Sequence, residues 1–470
     1  MAPTRVVTDS KLDRPTQRES RWLIALVCIG IALRIILMMV RGADLKTDPD
    51  GYVAHAETLL QIGSYCVPNS ERPTAFRPPL YPVLLAGLRL VGLKANVAVA
   101  LINLVSTALL IIATWWMARV VGLRRRWPNI AAAAVGLDPL LIRYSVLPMT
   151  ETISAAFLAV GLLKMCRLWM ALSDDSSTDN SQSDASLDNK EHFVESPLRS
   201  AVVAGLCFGL GGLCRPVILL TCAVVSAVTL ARTVLLRDRI KDSATRRRNF
   251  GLSFVPAVVA ASILMPWVVR NAVVFQHFIP ATTHGGYTLL LANNPVFYHE
   301  VVQQPGQPAW QGESLDNWQQ QMIGQMREEG IPLDSETATD NWQYQQAMRY
   351  INLDRVGFLQ SVVLRWKRFW ALRPSTDQTR SPAVFSTLSA IWYGLIFAGL
   401  AVSLLLCMIR QVTNIHLLWS SILSFLLLHT FYWTNTRMRA PLAAVLVILS
   451  VIGWHFIYEA TRKFRAGQKN

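Results

Sequence analysis

The chain is short of charge. Only 16% of its 470 residues are Asp, Glu, Lys or Arg, while 52% are hydrophobic and the mean hydropathy is +0.32. Soluble domains carry roughly a quarter charged residues, so a soluble multidomain protein is excluded. Also absent are a Walker loop, a zinc-protease motif, a Gly-x-Ser-x-Gly elbow and a dinucleotide fingerprint, which counts against cytosolic nucleotide chemistry. The seven cysteines (28, 66, 166, 207, 214, 222 and 407) fall almost entirely inside apolar runs, and only Cys66 stands in a clear loop. Neither a disulfide framework nor a metal cluster follows from them. What the chain does have is a succession of apolar runs of roughly 18 to 25 residues, the length that crosses a bilayer as helix. It reads as an all-α polytopic membrane protein. Its net charge of +15 belongs mostly to cytoplasmic Lys and Arg that orient the spans, with no nucleic-acid partner.

Ten spans are expected. A polar, basic tail (1–21) precedes an uncleaved first span (22–40), which is apolar apart from Arg34. With the N-terminus cytoplasmic, the following loop faces outward. Residues 80–93 are apolar but short and contain Pro82 and Arg89. Crossing there would put Arg124, Arg125 and Arg126 outside, against the positive-inside bias, so this segment reads as a surface or re-entrant helix. Spans are then expected at 95–118, 128–146, 150–170, 198–214, 216–236 and 250–270, the last with Pro256 and Pro266 as kinks. The remaining three are 382–409, 414–432 and 440–460, with a basic cytoplasmic tail (461–470). Residues 173–196, rich in Ser and Asp, read as a disordered cytoplasmic linker, and 237–248 as a basic loop.

The expected organisation is an N-terminal transmembrane module (22–270) carrying the first outer loop (41–94), an outer-face loop domain (271–381), and C-terminal spans (382–460). The protein would sit in the cell's inner, or plasma, membrane with both termini cytoplasmic. Two amphipathic stretches stand out in 271–381. One places Leu315, Trp318, Met322 and Met326 on one face. The other, 356–370, mixes Phe358, Val362, Trp366 and Trp370 with Arg365, Lys367 and Arg368, which suits a helix in a headgroup layer.

The organising stretch is 44–82, DLKTDPDGYVAHAETLLQIGSYCVPNSERPTAFRPPLYP. Tyr52, Val53, Ala56, Leu59 and Leu60 mark one helix face, which Gly63 would end. Asp48 before Pro49 reads as a helix cap, and with Asp50 equally as a catalytic base or a ligand for a divalent cation such as Mg or Mn. Arg77, held by Pro78 and Pro79, can match phosphate oxygens in bidentate fashion or snorkel to the interface. Glu151 either complements a helix dipole or acts at a site, as acids at membrane edges often do. Arg270, Arg437 and Arg439 are interface anchors or phosphate ligands. His55, two turns after Asp48, can approach the acids but reads more simply as a solvated histidine. His284, beside Gly285 and Gly286, is a weaker candidate. All of these share the outer face.

The run Asp48-x-x-x-Tyr52, Ala56, Leu59-Leu60, Gly63 and Arg77-Pro78-Pro79-Leu80-Tyr81-Pro82 resembles the first outer loop of bacterial GT-C glycosyltransferases, in the protein O-mannosyltransferase and aminoarabinose-transferase group. Further segments fit in the same order: 144–151, 211–216 (GGLCRP), 266–271 (PWVVRN), Asn293-Asn294-Pro295 and 437–441 (RMRAP). The resemblance implies transfer of a sugar from a polyprenyl-phosphate carrier to a lipid, polysaccharide or protein acceptor on the outer face, with inversion and without a certain cofactor. It implies that Asp48 acts at the catalytic centre with Asp50 or Glu151. It implies that Arg77 would contact the carrier phosphate. Apart from the resemblance, Arg270, Arg437 and Arg439 make the outer face attractive to that phosphate, and Tyr52, His55, Tyr81 and His284 are expected to line the substrate pocket. Phe76 stands where some relatives carry an acid, so a carboxylate role there falls to Asp50 or Glu151. The long loop 271–381 would close as a lid. A different reading is a transporter or flippase of lipid-linked glycans, although such proteins usually place polar groups mid-membrane in repeated halves, which are not seen here.

Overall fold

The computed structural model describes residues 15–174, 196–235, 242–304, 310, 312–374, 383–410 and 415–467. The core of the expected linker (175–195), half of the basic loop (236–241) and the extreme termini lie outside the described residues. Within them the chain is all-α, with a single isolated bridge between Cys66 and Pro73.

Among the described residues seven helices are long and apolar enough to cross a bilayer. They are α1 (Gln17–Val40), α4 (Ala95–Val120), α7 (Glu151–Asp174), α9 (Val217–Leu235), α10 (Ser243–Phe275), α16 (Ala383–Arg410) and α18 (Ala443–Gly467). Two further expected spans are short apolar helices, α8 (Pro197–Gly212) and α17 (His416–His429). The expected span 128–146 is not one helix. It divides into α5 (Trp127–Gly136) and α6 (Pro139–Tyr144), because the residue before a proline is pushed out of helical geometry and Asp138 turns its carboxylate onto the Leu141 N–H at 3.0 Å. Residues 80–93 form α3 (Leu80–Leu90), only about 16 Å long at 1.5 Å per residue. Helix α10 runs through both Pro256 and Pro266.

Local chemistry sets the other boundaries. Thr16 and Glu19 make a reciprocal capping box on α1, which satisfies two orphan amides. Asp242 accepts from Ala244 and Thr245 to start α10. Glycines on α8 let α10 come close: a Cβ on Gly205 would lie 2.6 Å from the Pro256 carbonyl. Helix α7 packs between α4 and α8, and α16 lies along α18. In the window of α18 and its lead-in, 72% is buried, against 17% for α1, so α18 is central and α1 peripheral.

The region between α10 and α16 contains α11 (Gly285–Ala292), α12 (Pro295–Phe297), a π turn (Tyr298–Val302), α13 (Glu313–Glu328), α14 (Glu336–Leu353) and α15 (Arg355–Phe369). Trp318, Met322 and Met326 of α13 face inward, onto a separate core with Trp310, Trp342 and Phe297. In α15 the expected cationic face is partly reversed. Arg365 is buried and donates to the Ala292 carbonyl (2.8 Å) and Asn293 Oδ1 (3.2 Å). The outward side carries Val356, Leu359, Val363 and Trp366.

Candidate active site

The loop between α1 and α4 contains α2 (Tyr52–Ile62) and α3. Helix α2 begins at Tyr52, after Gly51 at φ 75°, and not at Pro49. Asp48 is nevertheless its cap: Oδ2 accepts from the Ala54 N–H at 2.9 Å, the third amide of the helix. Its other oxygen, Oδ1, is buried and has no hydrogen-bond partner among the described residues.

Asp50 and Glu151 meet over Arg437. Glu151, at the first turn of α7, is fully buried and its Oε1 accepts from Arg437 Nε and, at 3.2 Å, from Arg215 Nη1. Arg437 also donates through Nη2 to Asp50 Oδ2, while Arg77 Nη2 stands 3.6 Å from Asp50 Oδ1. Glu151 Oε2 has no partner among the described residues. The guanidinium of Arg77 lies 5.9 Å from the Tyr52 ring, and that of Arg437 5.7 Å from the Tyr144 ring. Tyr52 meets Tyr81 edge to face at 5.4 Å. The buried Tyr81 hydroxyl is likewise without a partner and near enough to Glu151 and Asp48 to feel both charges. Burial alone would raise the Asp50 carboxyl, but Arg437, Arg77 and Arg215 outweigh it and hold it below its ordinary value. Burial, with the Asp50 charge adding, pushes the Tyr52 phenol up to about 12.

Three arginines thus face two carboxylates, an excess of one cation. Arg77 is the most open of the three at 22% side-chain exposure, against 14% for Arg215 and 10% for Arg437. Arg215, next to last in the GGLCRP segment that carried part of the resemblance, was not among the expected site residues. Tyr144 likewise opens one of those segments.

Other candidates lie elsewhere. Arg270 is spent on loop architecture, donating to the carbonyls of Thr74 (2.8 Å) and Tyr65 (2.7 Å). Arg439 turns away from Arg437 and donates to the carbonyls of Phe369 (2.6 Å) and Ala371 (2.7 Å). It also lies 4.0 Å from the ring of Tyr393, whose hydroxyl donates to Asp138 at 2.9 Å. His55 is not solvated: it is buried, with Nδ1 3.0 Å from the Cys66 carbonyl and its ring stacked on Tyr65. His284 packs against Phe76 at 4.3 Å and Tyr287 at 5.5 Å, with Nδ1 buried and unpartnered among the described residues. Burial and the nearby Arg77 charge push it down to about 3.

A divalent cation does not fit Asp48 and Asp50 as they stand. Both Asp50 oxygens face guanidinium groups and Asp48 Oδ2 caps a helix. One oxygen remains, where hard cations take six or more. Among the described residues no group of three or more His, Cys, Asp and Glu is arranged to hold a metal.

No family model and no curated protein matches the chain. Solved structures do. Archaeal oligosaccharyltransferase AglB from Archaeoglobus fulgidus, in complex with an inhibitory peptide and a dolichol-phosphate, matches 97% of this chain with 52% of its own, at a TM-score of 0.51 and 15% identity. Its apo form matches at 0.50 and 14%. The fold is GT-C. ArnT from Cupriavidus metallidurans, bound to undecaprenyl phosphate, matches more loosely, over 92% of this chain and 78% of its own, at 0.39 and 15% identity. The chain spans about half the length of AglB. In this chain the loop after α1, the head of α7 and the turn before α18 stand together, carrying Asp50, Glu151 and Arg437.

Proposed function

We propose that this chain is a membrane glycosyltransferase that moves a sugar from a polyprenyl-phosphate carrier to an acceptor on the outer face, with inversion at the sugar carbon. The single observation that carries the reading is the convergence of Arg77, Arg215 and Arg437 on Asp50 and Glu151, beside the unpartnered Oδ1 of Asp48. A departing lipid phosphate needs cations, and an attacking hydroxyl needs a base.

In this reading the bond between the anomeric carbon and the phosphate oxygen breaks. The acceptor oxygen bonds to the opposite face of that carbon, and its proton passes to Asp48 Oδ1. Charge builds on the leaving phosphate, where Arg77 and Arg215 offer their free N–H groups. Asp50 and Glu151 orient Arg437 and Arg77 and keep the cationic field from being much larger than one charge. The carrier's chain would leave along apolar helix surface. The dolichol-phosphate bound to AglB is in keeping with a donor of this chemistry. Residues 271–381 serve as the lid, and both chain termini lie in the cytoplasm of the inner membrane.

The test uses purified protein in nanodiscs with a panel of polyprenyl-phosphate sugars, comparing wild type with Asp48→Asn. Free polyprenyl phosphate whose release depends on Asp48 is the expected result. If no donor is consumed and lipid-linked sugar instead crosses the bilayer of proteoliposomes, transport replaces transfer as the function.

A further inference from the structure

Three segments meet at one carboxylate oxygen. Glu336, the first residue of α14, accepts through Oε2 from the Ala75 N–H at 2.9 Å and from Thr283 Oγ1 at 2.8 Å. The Thr283 N–H in turn donates to the Ala75 carbonyl at 3.0 Å. Ala75 and Thr283 are both buried. Neighbouring bonds run the same way: Arg270 holds the Thr74 carbonyl at 2.8 Å, Arg72 reaches the Asp334 carbonyl at 3.4 Å, and Asp340 accepts from Gly286 at 2.6 Å.

The positions that Glu336 grips are informative. Ala75 is two residues before Arg77, and Thr283 is one before His284. The two gripped segments carry the most open guanidinium of the cluster and the imidazole that packs on Phe76. Arg77 makes a loose 3.6 Å contact with Asp50 and lies near the rings of Tyr52 and Phe76, so its guanidinium is not fixed by its own ion pair. Its backbone must be fixed for it to meet a phosphate in one geometry, since misplacement by about 1 Å can cost a hundredfold. The rigid Pro78-Pro79 pair fixes the chain on one side of Arg77, and Glu336 fixes it on the other.

We infer that Glu336 is a positioning residue: it latches the outer domain to the first loop and thereby sets Arg77 for the donor phosphate. The inference rests on the proposed transfer reaction. What the latch supplies is an acceptor oxygen for two donors. A glutamine offers the same oxygen without the charge, and an alanine offers none.

The experiment compares wild type, Glu336→Gln and Glu336→Ala in nanodiscs, by donor kinetics with polyprenyl-phosphate sugars and by hydrogen exchange of the 72–77 segment. Losing the two hydrogen bonds to Glu336 predicts an approximately tenfold rise in the donor KM for Glu336→Ala, with a smaller change in kcat. Exchange at 72–77 should quicken in the same variant, and Glu336→Gln should recover most of both. Unchanged exchange and unchanged KM in Glu336→Ala would overturn the latch, as would a Glu336→Gln variant no better than Glu336→Ala. If wild type consumes no donor, the transfer reading fails by itself, and hydrogen exchange alone still decides whether the latch exists.

Discussion

Arg437 and Glu151 lie 286 positions apart and form a buried ion pair. Glu151 is completely shielded from solvent and Arg437 nearly so. Such a pair tolerates the loss of one member badly, because the other is left as an uncompensated charge. Glu151→Ala should therefore destabilise the protein by about 3–5 kcal/mol, read as a drop in thermal unfolding temperature in detergent. The Glu151→Ala, Arg437→Ala double variant should lose less than the sum of the two singles. Strict additivity would show that the two side chains do not depend on each other.

Asp48 is separable from that pair. Asparagine can still accept from the Ala54 N–H, so Asp48→Asn should fold and express as wild type. Transfer should fall roughly 100- to 10,000-fold, the usual worth of a general base. Release of polyprenyl phosphate gives the readout, and undiminished release would remove Asp48 from the chemistry.

Arg77 should act on donor binding. Arg77→Ala is expected to raise the donor KM by about tenfold or more, given that charge-assisted hydrogen bonds contribute about 1.5–3 kcal/mol. Arg77→Lys should recover only part, since a point charge lacks the planar fork. Titrating donor at fixed acceptor checks this, and identical KM values would dissociate Arg77 from the phosphate.

His284 sets one pH dependence. Its folded-state pKa is pushed down to about 3 by burial and the Arg77 charge, against about 6.5 in an unfolded chain. The unfolded state then binds a proton that the folded state refuses, so stability is full above about 6.5 and is lost as pH falls towards 3. His284→Asn should flatten that part of the pH profile of the unfolding temperature. Asp340 contributes with the opposite sign. Burial raises it to about 6 despite the Gly286 N–H, so its share of stability is lost as pH rises from about 4 to 6, and Asp340→Asn should remove that fall.

The contact between α16 and α18 depends on a missing side chain. A Cβ on Gly453 would sit 2.0 Å from the Gly399 carbonyl oxygen, and backbone cannot step aside as a flexible side chain can. Gly453→Ala should cost on the order of 1–3 kcal/mol, as overpacking does. An unfolding temperature equal to wild type would mean that the two helices separate freely at that point.

Several site features were readable before any coordinates. The pairing of Asp48 with a helix start, the rigid Arg77-Pro78-Pro79 turn and the placement of Glu151 at a helix head all rest on interactions within a few residues. The same locality misled at 128–146, where hydropathy averages over the Asp138-Pro139 break. It misled at His55 too, since helical spacing does not reveal that the loop carrying Cys66 folds back over that face. Arg215 was invisible as a partner because nothing near it in sequence is acidic.

The arginine pair before α18 marks the boundary most clearly. Arg437 and Arg439 are two residues apart and looked equivalent. They lie in a 3-10 turn (Thr436–Leu442), where about three residues complete a revolution, so their side chains leave in different directions. One meets Asp50 and Glu151, and the other the Phe369 and Ala371 carbonyls beside Tyr393. Composition and apolar periodicity determined that this is a helical membrane protein and where most of its helices run, because a bilayer imposes length and apolarity on each span independently. Which cation meets which carboxylate was decided only by packing, because Arg437 stands 286 positions from Glu151 and 387 from Asp50.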